Sequence, residues 1–191
     1  MKRLTAILLL LAVAFCCVSC GKVVQRANEP ISGTDVSEID LPADFTFSIV
    51  WGCYGISSYD SQTGKLVKTN DATDVTKYTA YVKLSENELK LVYKYLCLDL
   101  HLADYPAEYD PFNAPHAIKK VWSNPSQTIV LSVTANGQTH TVTCNDVALG
   151  TINDGYCRDA KMLLQAKNNV VTLLTSLPEW QAFPDYEFFY D

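Results

Sequence analysis

The chain has 191 residues, 48% of them hydrophobic, and its 15 basic and 21 acidic side chains give a net charge of −6. That length supports one domain with a sizeable core and is short for two. The acidic balance makes nucleic acid and anionic lipid surfaces poor partners for the chain as a whole.

The first element is residues 1–20, MKRLTAILLLLAVAFCCVSC. Lys2 and Arg3 form a basic start, Leu4 to Phe15 an apolar run too short to span a bilayer comfortably, and Val18-Ser19-Cys20 a small-residue processing site. This arrangement resembles the lipobox of bacterial lipoproteins, in which the signal is cut before a cysteine that is then diacylated through its sulfur. The resemblance implies that Cys20 is the lipidated residue and that the rest of the chain lies outside the cytoplasm. Acylation at Cys16 or Cys17, or a plain secretory signal cut nearby, is the alternative. Two acyl chains hold a protein firmly on a membrane where one holds it marginally. Gly21 follows the acceptor in place of the aspartate that marks inner-membrane retention, so in a two-membrane cell the resemblance implies the outer membrane. Removing residues 1–19 leaves 172 residues with 13 basic and 21 acidic side chains.

Residues 21–41 mix charges, Gly, Pro and Ser without sustained periodicity and read as a flexible tether with a reach of roughly 25 Å. From Phe45 the pattern turns to period two: Phe45, Phe47, Ile49 and Trp51 alternate with Thr46, Ser48 and Val50, which predicts a strand with one apolar face. A second strand is predicted to about Tyr59 and a third from near Lys65, joined by a turn in which Gly64 suits the left-handed position. Tyr78, Ala80, Val82 and Leu84 give a fourth strand, and the four make an antiparallel meander. Ser85 and Glu88 have the spacing of a capping box, with Leu84 and Leu89 at the staple positions, so a helix should follow at once. Its apolar stripe is Leu89, Val92, Tyr93, Leu96 and Leu100, with Cys97 beside it.

Beyond residue 127, Ile129, Leu131 and Val133 alternate with polar neighbours, and Asn136-Gly137 supplies a type I′ turn. A two-residue turn pairs 133 with 140, 131 with 142 and 129 with 144, which puts Ile129, Leu131, Val133, His140, Val142 and Cys144 on one face. A last helix is predicted from about Asp159 to Leu177, with Leu163, Ala166, Val170, Leu173, Leu174 and Leu177 inward and Pro178 just beyond its end. The expected fold is therefore α+β: a two-layer sandwich with an antiparallel sheet of about six strands and two helices on one face, in the order ββββ-α-ββ-α. Residues 1–19 are the signal, 20–41 the lipidated cysteine and tether, and 42–191 one domain.

Between Leu102 and Gln127 prolines interleave with Tyr105, Tyr109, Phe112 and Trp122. Long loops in compact domains often carry function, and aromatic rings fixed by prolines can stack on sugars or on a partner's apolar anchor. These four residues are the candidate ligand site; the plainer alternative is a loop that packs its own aromatics over the sheet edge. Asp104, Glu108, Asp110 and Asn113 offer oxygen ligands in the same loop, but neither the EF-hand spacing nor its turn glycine is present, and no metal is assigned. His101, His116 and His140 lack paired metal-ligand spacing, and His140 reads as a satisfied histidine on the apolar hairpin face. Cys53, between Gly52 and Tyr54-Gly55, is the one thiol whose surroundings could expose it, but no cysteine-protease signature surrounds it. Cys53, Cys97, Cys144 and Cys157 allow three disulfide pairings or four separate thiols.

The tail, with Trp180, Phe183, Tyr186, Phe188, Phe189 and Tyr190, either completes the core or docks on a cell-surface partner. No phosphate loop, dinucleotide fingerprint or serine elbow occurs, so no catalytic residue and no cofactor is assigned. In its order of elements the mature part resembles small lipoprotein domains of bacteria, in which a strand ending in Cys and Gly leads into a hairpin, a capped helix and another hairpin; the resemblance implies no known activity. The expected function is a lipid-anchored module that binds an envelope protein or glycan without catalysis. A thiol- or metal-dependent hydrolase and a structural subunit of an envelope complex are the alternatives.

Overall fold

A computed structural model of the chain describes residues 24–25, 35–53, 57–69, 77–110, 127–144 and 158–185. They form an α+β fold around a mixed sheet of eight strands: β1 (Val24–Gln25), β2 (Thr46–Cys53), β3 (Ser57–Asp60), β4 (Lys65–Thr69), β5 (Lys77–Lys83), β6 (Glu108–Tyr109), β7 (Gln127–Ala135) and β8 (Gln138–Cys144). Their spatial order is β1-β5-β4-β3-β2-β7-β8-β6. The six longer strands are antiparallel neighbours, as the alternation predicts. The expectation of a purely antiparallel sheet needs correction at both edges, where β1 joins β5 in parallel and β6 joins β8 in parallel. Two-residue strands carry no period, so the pattern has nothing to show of them.

Alternation decides which face is buried. Phe47, Ile49 and Trp51 of β2 lie opposite Val133, Leu131 and Ile129 of β7, and all six belong to one core with Tyr59, Leu66, Val82, Val142 and Cys144. The other face carries Thr46 and Ser48 beside Ser132, Thr134, Thr139 and Thr141, with hydroxyl pairs Ser132–Thr141 and Thr134–Thr139 each at 2.8 Å. The β7–β8 register agrees with the sequence at every predicted pair, 129 with 144, 131 with 142 and 133 with 140. Asn136 and Gly137 have φ of 53° and 74°, the two positive angles that a type I′ turn requires. Asp44, just before β2, accepts both turn N–H groups, from Asn136 at 2.8 Å and Gly137 at 2.6 Å. These bonds hold its carboxyl below the usual carboxylate range. In the β3–β4 turn Gly64 has φ of 75°, and a Cβ there would stand 2.8 Å from the Val82 carbonyl oxygen. The position therefore excludes a side chain on two grounds, conformation and space.

Helix α1 (Glu86–Tyr93) starts on the predicted capping box: the Ser85 N–H donates to Glu88 Oε2 at 2.7 Å and the Glu88 N–H to Ser85 Oγ at 3.3 Å. Lys94–Asp99 continue it as a π-helix, with the Leu100 N–H reaching the Tyr95 carbonyl at 3.2 Å. The wider turn keeps Leu96 and Leu100 in the core and leaves Leu98 exposed, and Leu91 joins Val92 inside. Helix α2 (Arg158–Thr175) buries Leu163, Ala166, Val170, Leu173 and Leu174 as its stripe predicts, and Lys167 with them. Pro178 does end the stripe, but it also opens a further short helix, α3 (Pro178–Gln181), by occupying its first turn. Trp180 of α3 is buried with its ring centroid 5.5 Å from that of Trp51, and Lys68 lies over it at 5.2 Å. Lys68 Nζ donates to the Pro184 carbonyl at 2.7 Å, so the first part of the tail completes the core. Tyr186, Phe188, Phe189 and Tyr190 lie outside the described residues.

Within the segment predicted as a flexible tether, β1 belongs to the sheet, and Val36 and Leu41 pack against the core. Among the described residues no helix is long and apolar enough to cross a membrane.

Candidate functional site

The chain leaves the π-helix through His101, whose φ of 54° reverses the backbone and ends the helix. A single 3-10 turn (Leu102–Asp104) follows, pinned by Leu102, which is fully buried. Three bonds then fix the strand that returns. The Tyr105 hydroxyl donates to the Asp159 carbonyl at 2.8 Å, His140 Nε2 lies 2.9 Å from the Tyr105 carbonyl oxygen, and the Thr143 N–H donates to the Ala107 carbonyl at 2.7 Å. A carbonyl oxygen can only accept, so Nε2 carries the proton in the His140 contact. His140 is thus satisfied on the inner hairpin face, as the sequence predicts.

These ties leave a cleft of about 630 Å³ between the 100–110 turn and the first turns of α2. Tyr105, Tyr109, Leu100 and Met162 supply its apolar and aromatic surface. Asp104, Glu108, Asp110 and Asp159 add carboxylates, and Arg158 and His101 add nitrogen donors. A smaller recess of about 140 Å³ shares Leu100 and Met162 with it and runs on towards Tyr95, Asp99 and Asn169. The arrangement can accept hydroxyl protons on several sides, donate from a guanidinium on another, and offer ring edges and a thioether to C–H surface.

Two of the four predicted ligand-site aromatics, Tyr105 and Tyr109, stand here. Tyr105 and Tyr109 are 9% and 8% exposed, and their rings meet edge to face with centroids 5.1 Å apart. They form the wall of the cleft, each sharing its area with the core. Phe112 and Trp122 lie outside the described residues, as do Cys20, Asn113, His116 and Cys157. Asp104, Glu108 and Asp110 sit together on the rim, and among the described residues no group of three or more His, Cys, Asp or Glu side chains is arranged to hold a metal ion.

The thiols divide by place. Cys53 ends β2 opposite Gln127, and its side chain lies outside the described residues. Cys97 is a free thiol packed against the core, and burial pushes it up to about 11, which leaves it a poor nucleophile at neutral pH. Cys144 is 1% exposed on the inner face of β8. The far wall of the cleft, Arg158, Asp159 and Met162, was not singled out from the sequence. It is brought to the turn by tertiary packing, and no local pattern marks it.

No protein-family model matches the chain, and no curated protein is matched by its sequence.

Proposed function

We propose that the protein is an extracytoplasmic lipoprotein, held on a membrane through Cys20, whose folded part binds an envelope glycan without catalysis. The observation that carries the ligand side of this reading is the composition of the cleft. Tyrosine rings and Met162 offer surface to the C–H faces of a sugar, while carboxylates and Arg158 converge on the same space as partners for its hydroxyls. The anchor side rests on the basic start, the short apolar run and Val18-Ser19-Cys20.

The test is isothermal titration of the full chain in detergent with β-linked N-acetylglucosamine oligosaccharides and soluble cell-wall glycan fragments. Asp104→Asn, Glu108→Gln and Arg158→Gln change exposed rim groups and leave the core intact. Loss of a hydrogen bond to a charged group weakens binding by about tenfold or more. Binding that falls by that factor in at least two of the three variants supports the reading. Absence of heat with every saccharide, or binding indifferent to all three changes, overturns it.

A further inference from the structure

The first described residues pair with one particular edge of the sheet. Val24 lies opposite Val82 and Gln25 opposite Lys83, in parallel, so β1 covers the end of β5. Cys20 precedes Val24 by four positions, and four residues of extended chain span at most about 14 Å. A lipid on Cys20 is therefore leashed to the β5 edge, and a free reach of twenty residues is not available to it.

The same edge differs in chemistry from the rest of the molecule. Strands β4 and β5, KLVKT and KYTAYVK, contain four lysines and no acidic residue, in a chain whose net charge is −6. Lys68 faces the core and Lys83 Nζ donates to the Ser61 and Gln62 carbonyls, which leaves Lys65 as the lysine shown exposed on the two strands. Tyr81, opposite Lys65, is 52% exposed and with Leu98 is one of the two large hydrophobic residues standing out among the described residues. Tyrosine beside lysine suits the level of lipid headgroups, where the ring meets acyl carbon and the ammonium meets phosphate. The overall acidity, which disfavours anionic surfaces for the chain at large, would by the same token turn the remaining surface away from them.

Resting on the lipoprotein reading above, we infer that the β5 edge, with Tyr81 and Lys65, lies against the phospholipid headgroups and fixes the orientation of the whole domain. Strand β8 is five spacings from β5, about 24 Å at the usual separation. The cleft, beside β6 and β8, then faces away from the membrane.

The experiment uses the full chain, matured in a lipidating bacterium and placed in vesicles of phosphatidylethanolamine and phosphatidylglycerol that carry a headgroup-attached energy acceptor. A fluorescent amino acid is encoded at Tyr81 or, in a second sample, at Thr139 on the far edge. Donor fluorescence should be largely lost at 81 and largely kept at 139. Val24→Pro removes a donor from β1 and should bring the loss at 81 down to that at 139. Mass measurement of the Cys20 peptide separates the two readings. An acylated, vesicle-bound protein with equal loss at 81 and 139, or with a loss at 81 that Val24→Pro leaves unchanged, overturns the orientation alone. An unacylated Cys20 overturns the anchor, and the orientation with it.

Discussion

Lys167 on α2 is 5% exposed among leucines and valines, and burial alone pushes its ammonium down to about 8 from an ordinary 10.5. That interval, at 1.36 kcal/mol per pH unit, corresponds to about 3 kcal/mol by which the charged form disfavours the folded state near neutrality. The folded state binds fewer protons than the unfolded one between these two values. Stability therefore rises with pH across the window, and the penalty is present in full only below about 8. Lys167→Met keeps the length of the stem and removes the charge, so it should stabilise the protein by about 3 kcal/mol at pH 7. At pH 10 the same linkage leaves about 1 kcal/mol of that gain. For a chain of this size the neutral-pH gain amounts to roughly 6–12 °C in Tm. Urea titrations of both proteins at pH 7 and pH 10, compared as differences, cancel the titration of the lysines and tyrosines they share. A difference that does not shrink at the higher pH, or a methionine variant less stable at pH 7, would refute the argument that desolvation of this ammonium governs the site.

Further outcomes follow from single contacts. Tyr59 is 1% exposed and donates to the Val82 carbonyl at 3.0 Å, so Tyr59→Phe should lower stability by about 1–2 kcal/mol in the same urea assay. Gly64→Ala places a methyl 2.8 Å from backbone at positive φ and should lose about 2 kcal/mol or more, with the β4–β5 amides showing the earliest hydrogen exchange. Ser85→Ala removes the cap of α1 and should cost about 1 kcal/mol, visible as a lower urea midpoint at unchanged slope. The Asp44 carboxyl should titrate below ordinary aspartate by NMR. Its hold on the 136–137 turn is complete above the unfolded value and is lost as pH falls through the folded one, so the turn amides should shift with that same midpoint.

The parts of the fold that were legible are those where local chemistry and tertiary need coincide. Asn136-Gly137 fixes a turn, the turn fixes a register, and that register places Ile129, Leu131, Val133, Val142 and Cys144 inward together. Ser85 and Glu88 mark a helix start in four residues, and the leucines of α2 mark a buried face in eighteen. Elements created by packing left no such mark. Strands β1 and β6 are two-residue pairings on the edges of the sheet, and the π-turn is where Leu96 and Leu100 both enter the core. Of the candidate cleft, one wall was legible in the sequence and the other was not. Tyr105 and Tyr109 were found because prolines and rings stood out, but composition cannot tell a ring that lines a cleft from one that offers its face to solvent. Pro178 reads equally as the end of one helix and the beginning of another, and only the burial of Trp180 against Trp51 decides it.

The place of β2 in the middle of the sheet has a consequence for the order in which the protein is made. One neighbour, β3, follows it directly, whereas the other, β7, begins only at Gln127, roughly two-fifths of the chain further on. Ribosomes add about 5–20 residues per second, so the free hydrogen-bonding edge of β2 waits on the order of ten seconds for the strand that pairs with it. During that interval Phe47, Ile49 and Trp51 belong to an unfinished sheet whose next edge is open to any other strand. The unfinished chain thus depends on being kept apart from its siblings until β7 pairs with β2, and the core closes later still, when α2 and Trp180 pack on it.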